Sequence, residues 1–305
     1  MEQQSLHGIL LIDKPQGFTS HDVVAKLRSI LKTRRIGHGG TLDPMATGVL
    51  PVFVGGATRA ADFAASQDKE YIAGFTLGYA TDTQDSTGEI TQMSGRYASQ
   101  AAVAAKLKHF TGAQKQIPPM YSAVKINGQK LYDLARKGKE VERPTRDIII
   151  HEMELLSFDE NAQKGTFRAV VSKGTYVRTI VHDFGQMLGT LAVMHSLVRT
   201  RAGEYPIAQA VSLQQVEQAM ADGHISHLLR PVDSLFLTYP AVSLTEEGAQ
   251  RAARGAVVFP RQAAGMPEQQ GALVRVYDSK GFRMLGQVRA LDKGGFGLFV
   301  FKNFR

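Results

Sequence analysis

Apolar and polar positions along the chain change period from block to block. GILLIDKP (8–15) is a short apolar run closed by Asp13-Lys14-Pro15, which predicts a strand. Val23, Val24, Leu27, Ile30 and Leu31 then recur at helical spacing, with Ser20 placed to cap that helix. Lys26, Arg28, Lys32, Arg34 and Arg35 fill its other side and the following loop, and no acid occurs between Asp22 and Asp43. A glycine-rich loop leads into the apolar run VLPVFVG and a short helix near 58–66. KEYIAGFTLG (69–78) predicts a strand, TDTQDSTGE a polar turn, and 98–110 a helix.

Residues 113–147 mix prolines, glycine turns and charges and are expected to form an inserted arm with one short helix near 130–137. Strands at 148–157 and 165–173 precede a long amphipathic helix from Tyr176 to Leu188, with Val177, Ile180, Val181 and Phe184 on one face. YPAVSLTEE (239–247) marks a boundary between a unit at 1–240 and a small β-rich one at 241–305. There Ser243 and Glu246 make a capping-box pattern for a helix ending before Gly255, and ALVRVYD and GFGLFVF read as strands.

The 305 residues suffice for one large and one small domain. No apolar run approaches the ~20 residues of a membrane span, and MEQQSLHG lacks the features of a signal peptide, so a cytoplasmic protein is expected. The chain has no cysteine, which excludes disulfides, thiolate catalysis and cysteine-based zinc sites. Net charge is +8: residues 1–240 carry 26 basic against 23 acidic side chains (+3), and 241–305 carry 10 against 5 (+5). Charge alone fits a polyanion partner or simple solubility equally well.

Nucleotide motifs are absent. Neither GHGG nor the pair at 55–56 precedes Lys-Ser/Thr, and SKGTYVR (172–178) lacks the first glycine of a phosphate loop. His182-Asp183 is half a metal site with no partner at a recognisable spacing. GHGGTLDPMATG (37–48) holds the most unusual acid. Asp43 is restricted to extended conformations by Pro44, beside glycines that let backbone approach a bulky ligand, with His38 the one imidazole nearby. A turn acid and a rigidly held catalyst both fit these residues.

Five ordered blocks go further. GILLIDKPQGFTSHDVV, RRIGHGGTLDPMATGVLPVFVGGATR, KEYIAGFTLGYATDTQDSTGEI, QIPPMYSAVKINGQKLYDLARKG and SKGTYVRTIVHDFG together resemble the TruB family, bacterial tRNA pseudouridine-55 synthases, over residues 8–235. The resemblance implies an α+β pseudouridine-synthase fold: a central mixed, mainly antiparallel sheet flanked by helices and loops, then a C-terminal PUA-like RNA-binding domain. It implies isomerisation of a T-loop uridine of tRNA without cofactor or metal; the arm at 113–147 is expected to grip the T-arm backbone, and the protein is expected to be a monomer. It assigns Asp43 as the catalytic aspartate, His38 as the residue that replaces the flipped nucleotide in the stack, and Tyr71 as a face against uracil. Tyr176 lines the base pocket, Arg178 pairs with the aspartate, and Thr200 falls where a relative carries a pocket leucine. Gly39 stands where many relatives have threonine, which is expected to loosen the loop.

Physical chemistry fits that assignment. A base must leave its stack to be worked on, at a cost of a few kcal/mol that a stacking pocket offsets. Burial against tyrosines raises the pKa of a carboxyl group, and a guanidinium opposes this. On the residues alone, Tyr71 also reads as a core tyrosine and Arg178 as a surface arginine. The arm, with eight basic and four acidic residues, reads as a phosphate grip or a solvated insertion. Three other readings remain: an RNA-binding folding chaperone, for which Asp43 is dispensable; an aspartyl-phosphate enzyme, which needs Mg²⁺; and an RNA-guided relative that needs partner subunits.

Overall fold

The two unbroken apolar runs near the start become neighbouring strands. β1 (Gly8–Lys14) and β3 (Thr47–Val54) pair antiparallel along their whole length, and both are buried almost throughout. Strands covered on both faces lose the apolar–polar alternation, which explains their continuous runs. The computed structural model describes residues 6–122, 124–126, 128–292 and 294–304. The opening MEQQS and the side chains of Lys125 and Lys130 lie outside the described residues.

Between these strands lie α1 (Ser20–Ile30) and β2 (Ile36–His38), which pairs with the end of β3. Val23, Val24, Leu27 and Ile30 pack against Leu10, Ile12, Leu50 and Val52, as their spacing predicts. The cap differs from expectation. Thr19 caps α1 in a box with Asp22, and Ser20 is the first helical residue, its hydroxyl turned elsewhere. The helix expected at 58–66 is a 3₁₀ turn, Gly55–Ala60, followed by α2 (Ala61–Ser66).

β4 (Lys69–Leu77) leads into a hairpin of β5 (Tyr79–Thr81) and β6 (Ile90–Met93), then α3 (Gln100–Lys108) and β7 (Gly112–Gln116). β8 (Lys125–Ile126), β9 (Gln129–Lys130) and α4 (Leu131–Ala135) follow, before β10 (Arg146–Asp159), β11 (Lys164–Val171) and α5 (Val177–Leu188). β12 (Ala192–Ala202), β13 (Tyr205–Pro206) and α6 (Leu213–Ala221) complete the larger unit. Among the described residues its sheet has nine strands, in the order β1-β3-β12-β4-β11-β10-β7, with β2 on β3 and β13 on β12. Only β3–β12 is parallel, so the sheet is mixed and mainly antiparallel. α3, the turn after it and α5 cover one region of it through Val103, Phe110 and Phe184.

Two features depart from the pattern-based reading. Residues 112–116 are an edge strand paired with 146–150, so the arm leaves the sheet after Gln116 and returns at Arg146. β12 carries no strand signature in the sequence. Register shifts at Met194/Ser196 and Arg199/Arg201 interrupt its side-chain alternation, which hides its period.

Residues 241–303 form a second sheet, β15-β14-β16-β17-β18. Its strands are β14 (Ala241–Leu244), β15 (Ala263–Ala264), β16 (Leu273–Asp278), β17 (Gly281–Ala290) and β18 (Phe296–Asn303). Ser243 lies within β14 and caps nothing; Thr245 caps α7 (Glu246–Ala253) by accepting from Gly248 N at 3.2 Å. Phe282 and Phe304 pack with Phe63 and Phe236, joining this sheet to the larger unit.

Candidate active site

The loop from Gly39 to Ala46 is held at nearly every peptide. Gly39 N donates to Pro51 O at 2.8 Å, and Ala46 N to Asp43 O at 3.0 Å. The buried Ser20 hydroxyl accepts from Leu42 N at 2.8 Å and donates to Leu42 O at 3.3 Å. Lys14, fully buried at the end of β1, donates to Phe18 O at 2.5 Å, Pro15 O at 3.0 Å and Pro44 O at 3.4 Å. Burial, first among its influences, brings its pKa down to about 8. A Cβ on Gly39 would stand 2.8 Å from the Ala64 Cβ and 2.9 Å from the Phe53 ring, so the absence of a side chain permits close packing.

Asp43 projects from this loop into a cavity of about 220 Å³. Arg178, in the first turn of α5, comes up beside it: Nε stands 2.9 Å from Oδ2 in an ion-pair contact without hydrogen-bond alignment, and Nη2 donates to Oδ1 at 3.3 Å. The arginine is itself fixed by Thr83 O (2.9 Å), Tyr121 O (2.8 Å) and the Asp85 carboxylate (3.5 Å). Its side chain is 5% exposed, against 33% for Asp43, so a held cation faces an anion open to the cavity. Burial pushes the Asp43 carboxyl above the usual carboxylate range, Arg178 pulling it down and Asp85 pushing it up. Desolvation outweighs the ion pair.

Tyr71, from β4, and Tyr176, just ahead of α5, line the same cavity as Asp43 and Arg178. Gln116 fixes Tyr176 by grasping its peptide on both sides: Nε2 donates to Tyr176 O at 3.0 Å, and Tyr176 N donates to Oε1 at 2.8 Å. Four of the six residues singled out from the sequence thus meet at one place.

The other two stand apart from the wall. His38 lies on β2, edge-on to His21 at 5.3 Å, and burial, followed by the charges of His21 and Arg199, lowers its pKa to about 4. The Thr200 hydroxyl donates to Glu70 Oε1 at 2.8 Å, in a surface network with Arg168. Leu197, three residues earlier, lines the cavity instead. Sequence reading also missed Lys69, Ser122 and Arg199 in the wall, and Asp85 behind Arg178. Asp85 lies in the polar turn TDTQDSTGE, whose density of acids and hydroxyls was the available signal; Thr83 and Thr87 both donate to its carboxylate. Among the described residues no group of three or more His, Cys, Asp or Glu is placed to hold a metal, and no helix is long and apolar enough to cross a membrane.

A carboxylate beside a fixed guanidinium, in a cavity that two tyrosines also line, can act on a neutral ring that enters it. Residues 28–177 match the TruB family pseudouridylate synthase N-terminal domain, and 178–237 the tRNA pseudouridylate synthase B C-terminal domain. The chain is 43% identical over 277 residues to a tRNA pseudouridine synthase B of Geobacillus thermodenitrificans, covering 89% of this chain and 91% of the relative. It is 43% identical over 256 residues to one of Bacillus cytotoxicus, covering 82% and 83%. A solved Cbf5-Nop10-Gar1 complex contains a chain of the same fold, with TM-score 0.74 and 27% identity over 98% of this chain and 85% of that one. The chain therefore belongs to the TruB family, and is an enzyme that isomerises uridine to pseudouridine in tRNA.

Proposed function

We propose that the substrate is the uridine at position 55 in the T-loop, everted from its stack into the cavity and converted by the Asp43 carboxylate, acting as nucleophile or its electrostatic equivalent. The reaction breaks C1′–N1, turns the base, forms C1′–C5 and moves the C5 proton to N1, so no oxidant, reductant or second substrate enters. The observation that carries this reading is the Asp43–Arg178 pair in a cavity walled by Tyr71 and Tyr176. The rings offer faces for the uracil, and the Arg178 guanidinium favours the ionised aspartate, opposing the desolvation that raises its pKa. His38, held neutral, fills the gap the base leaves in the loop.

The arm holds the T-arm backbone, and a monomer works without cofactor, metal or partner subunits. Opening the T-loop also gives the protein a second role in refolding tRNA.

The test is incubation of purified protein with unmodified tRNA in EDTA, with pseudouridine at the T-loop read by chemical derivatisation. The parent is expected to convert its substrate, and Asp43→Asn, which keeps the shape and removes the charge, to lose at least about 1,000-fold in rate. Near-parental conversion by the variant overturns the role of Asp43. Failure of the parent in EDTA or without added proteins overturns stand-alone action.

A further inference from the structure

Arg199 is the largest fully buried side chain among the described residues, 1% exposed. Among those residues no carboxylate stands within ion-pair distance of it. Withdrawing a cation from water without an anion is costly, so a buried guanidinium has to be held by hydrogen bonds. All three nitrogens of this one donate to backbone carbonyls: Nε to Val49 O at 2.8 Å, Nη1 to Thr41 O at 3.4 Å and Nη2 to Gly40 O at 3.3 Å. Gly40 and Thr41 immediately precede Leu42-Asp43, while Val49 lies beyond the loop on β3. One planar group thus joins both limbs of the loop that carries the aspartate.

The parallel pairing of β3 with β12 places it there, Val198 opposite Thr47 and Arg199 opposite Gly48. Gly48, at φ +101°, permits the approach; a Cβ on it would stand 2.3 Å from Arg199 O.

We propose that Arg199 is a positioning residue for the reaction, fixing the Gly40 and Thr41 peptides so that Asp43 meets the nucleoside in a single orientation. The inference rests on Asp43 being the reacting carboxylate. Three diverging carbonyls need a planar fork; the single nitrogen of a lysine keeps the charge and cannot span them.

The experiment compares Arg199→Lys, Arg199→Met and Asp43→Asn with the parent in thermal unfolding, tRNA affinity and single-turnover rate at saturating unmodified tRNA. Both Arg199 variants are expected to fold and to bind tRNA within about threefold of the parent, with rates about 100-fold lower, since a misplacement of ~1 Å is enough for such a loss. Lysine is expected to restore little. A near-parental rate in either variant, a rate loss matched by lost affinity, or failure of both to fold overturns the inference. An active Asp43→Asn overturns the reading on which it rests. An inactive Asp43→Asn beside a fully active Arg199→Met overturns the positioning role alone.

Discussion

Asp43 is anchored by its neighbours while its own carboxylate is left in an uncomfortable electrostatic position. Burial raises its pKa, and Arg178 recovers only part of the loss. The sign of the pH dependence follows. If the carboxylate is the reacting form, activity falls as pH drops through a pKa above 3.8, and the acid limb of a single-turnover profile lies above the ordinary carboxylate range. Arg178→Met removes the charge that lowers this pKa, so its acid limb is expected at higher pH still, together with a loss of stability of about 3 kcal/mol from the stranded Asp85. An acid limb that stays put in Arg178→Met would show that another group titrates. At this scale Asp43 alone was legible from local chemistry, as an acid locked before proline; Tyr71 and Arg178 read on the residues alone as a core tyrosine and a surface arginine, and only the resemblance to the family singled them out. Arg199, Lys69 and Leu197 were illegible because their importance comes from what lies opposite them across strands distant in sequence. Thr200 was misplaced by three residues on a strand whose bulges shift which side chains face the cavity.

Helix α5 and strand β12 are the elements that bring the site together. α5 carries Arg178 on the same buried side as Val177, Ile180, Val181 and Phe184, so one amphipathic face both packs the helix and delivers the guanidinium. Gly185 sets how closely α5 lies to β12: a Cβ there would stand 2.2 Å from Ala192 N and 2.4 Å from Leu191 C. Those are backbone atoms that cannot rotate away. Gly185→Ala is therefore expected to destabilise the protein by roughly 2–4 kcal/mol despite the better helix propensity of alanine, read by denaturant unfolding. An unchanged or raised midpoint would mean that the helix can shift without cost. The helix was legible because its period is unbroken; in the structure Gly189 ends it in the left-handed conformation. β12 was not, although it lies between β3 and β4 and supplies Leu197 and Arg199 to the cavity wall. The same bulges that aim its side chains erase the alternation by which a strand is recognised.

Across the whole molecule, charge and apolar contacts divide the labour. The C-terminal sheet is joined to the body by phenylalanines, and residues 241–305 carry a net charge of +5. The arm has a net charge of +4, eight basic residues less four acidic, and its first part reaches the cavity: Tyr121 O accepts from Arg178, and Ser122 lines the wall. Deleting the arm would therefore damage the site as well as any grip on RNA, and would not separate a phosphate clamp from a solvated insertion. Lys137 and Lys139 allow a cleaner test, because both are exposed, lie beyond α4 and do not line the cavity. Replacing both with glutamine is expected to lower the slope of log affinity against log salt by about 1.5, as two lost phosphate contacts require, while the single-turnover rate at saturating tRNA stays parental. A lower slope with an unchanged rate assigns the outer arm to binding and its inner end to the site. An unchanged slope means that these lysines meet only water, and that the phosphate contacts lie on the basic side of α1 or on the C-terminal sheet.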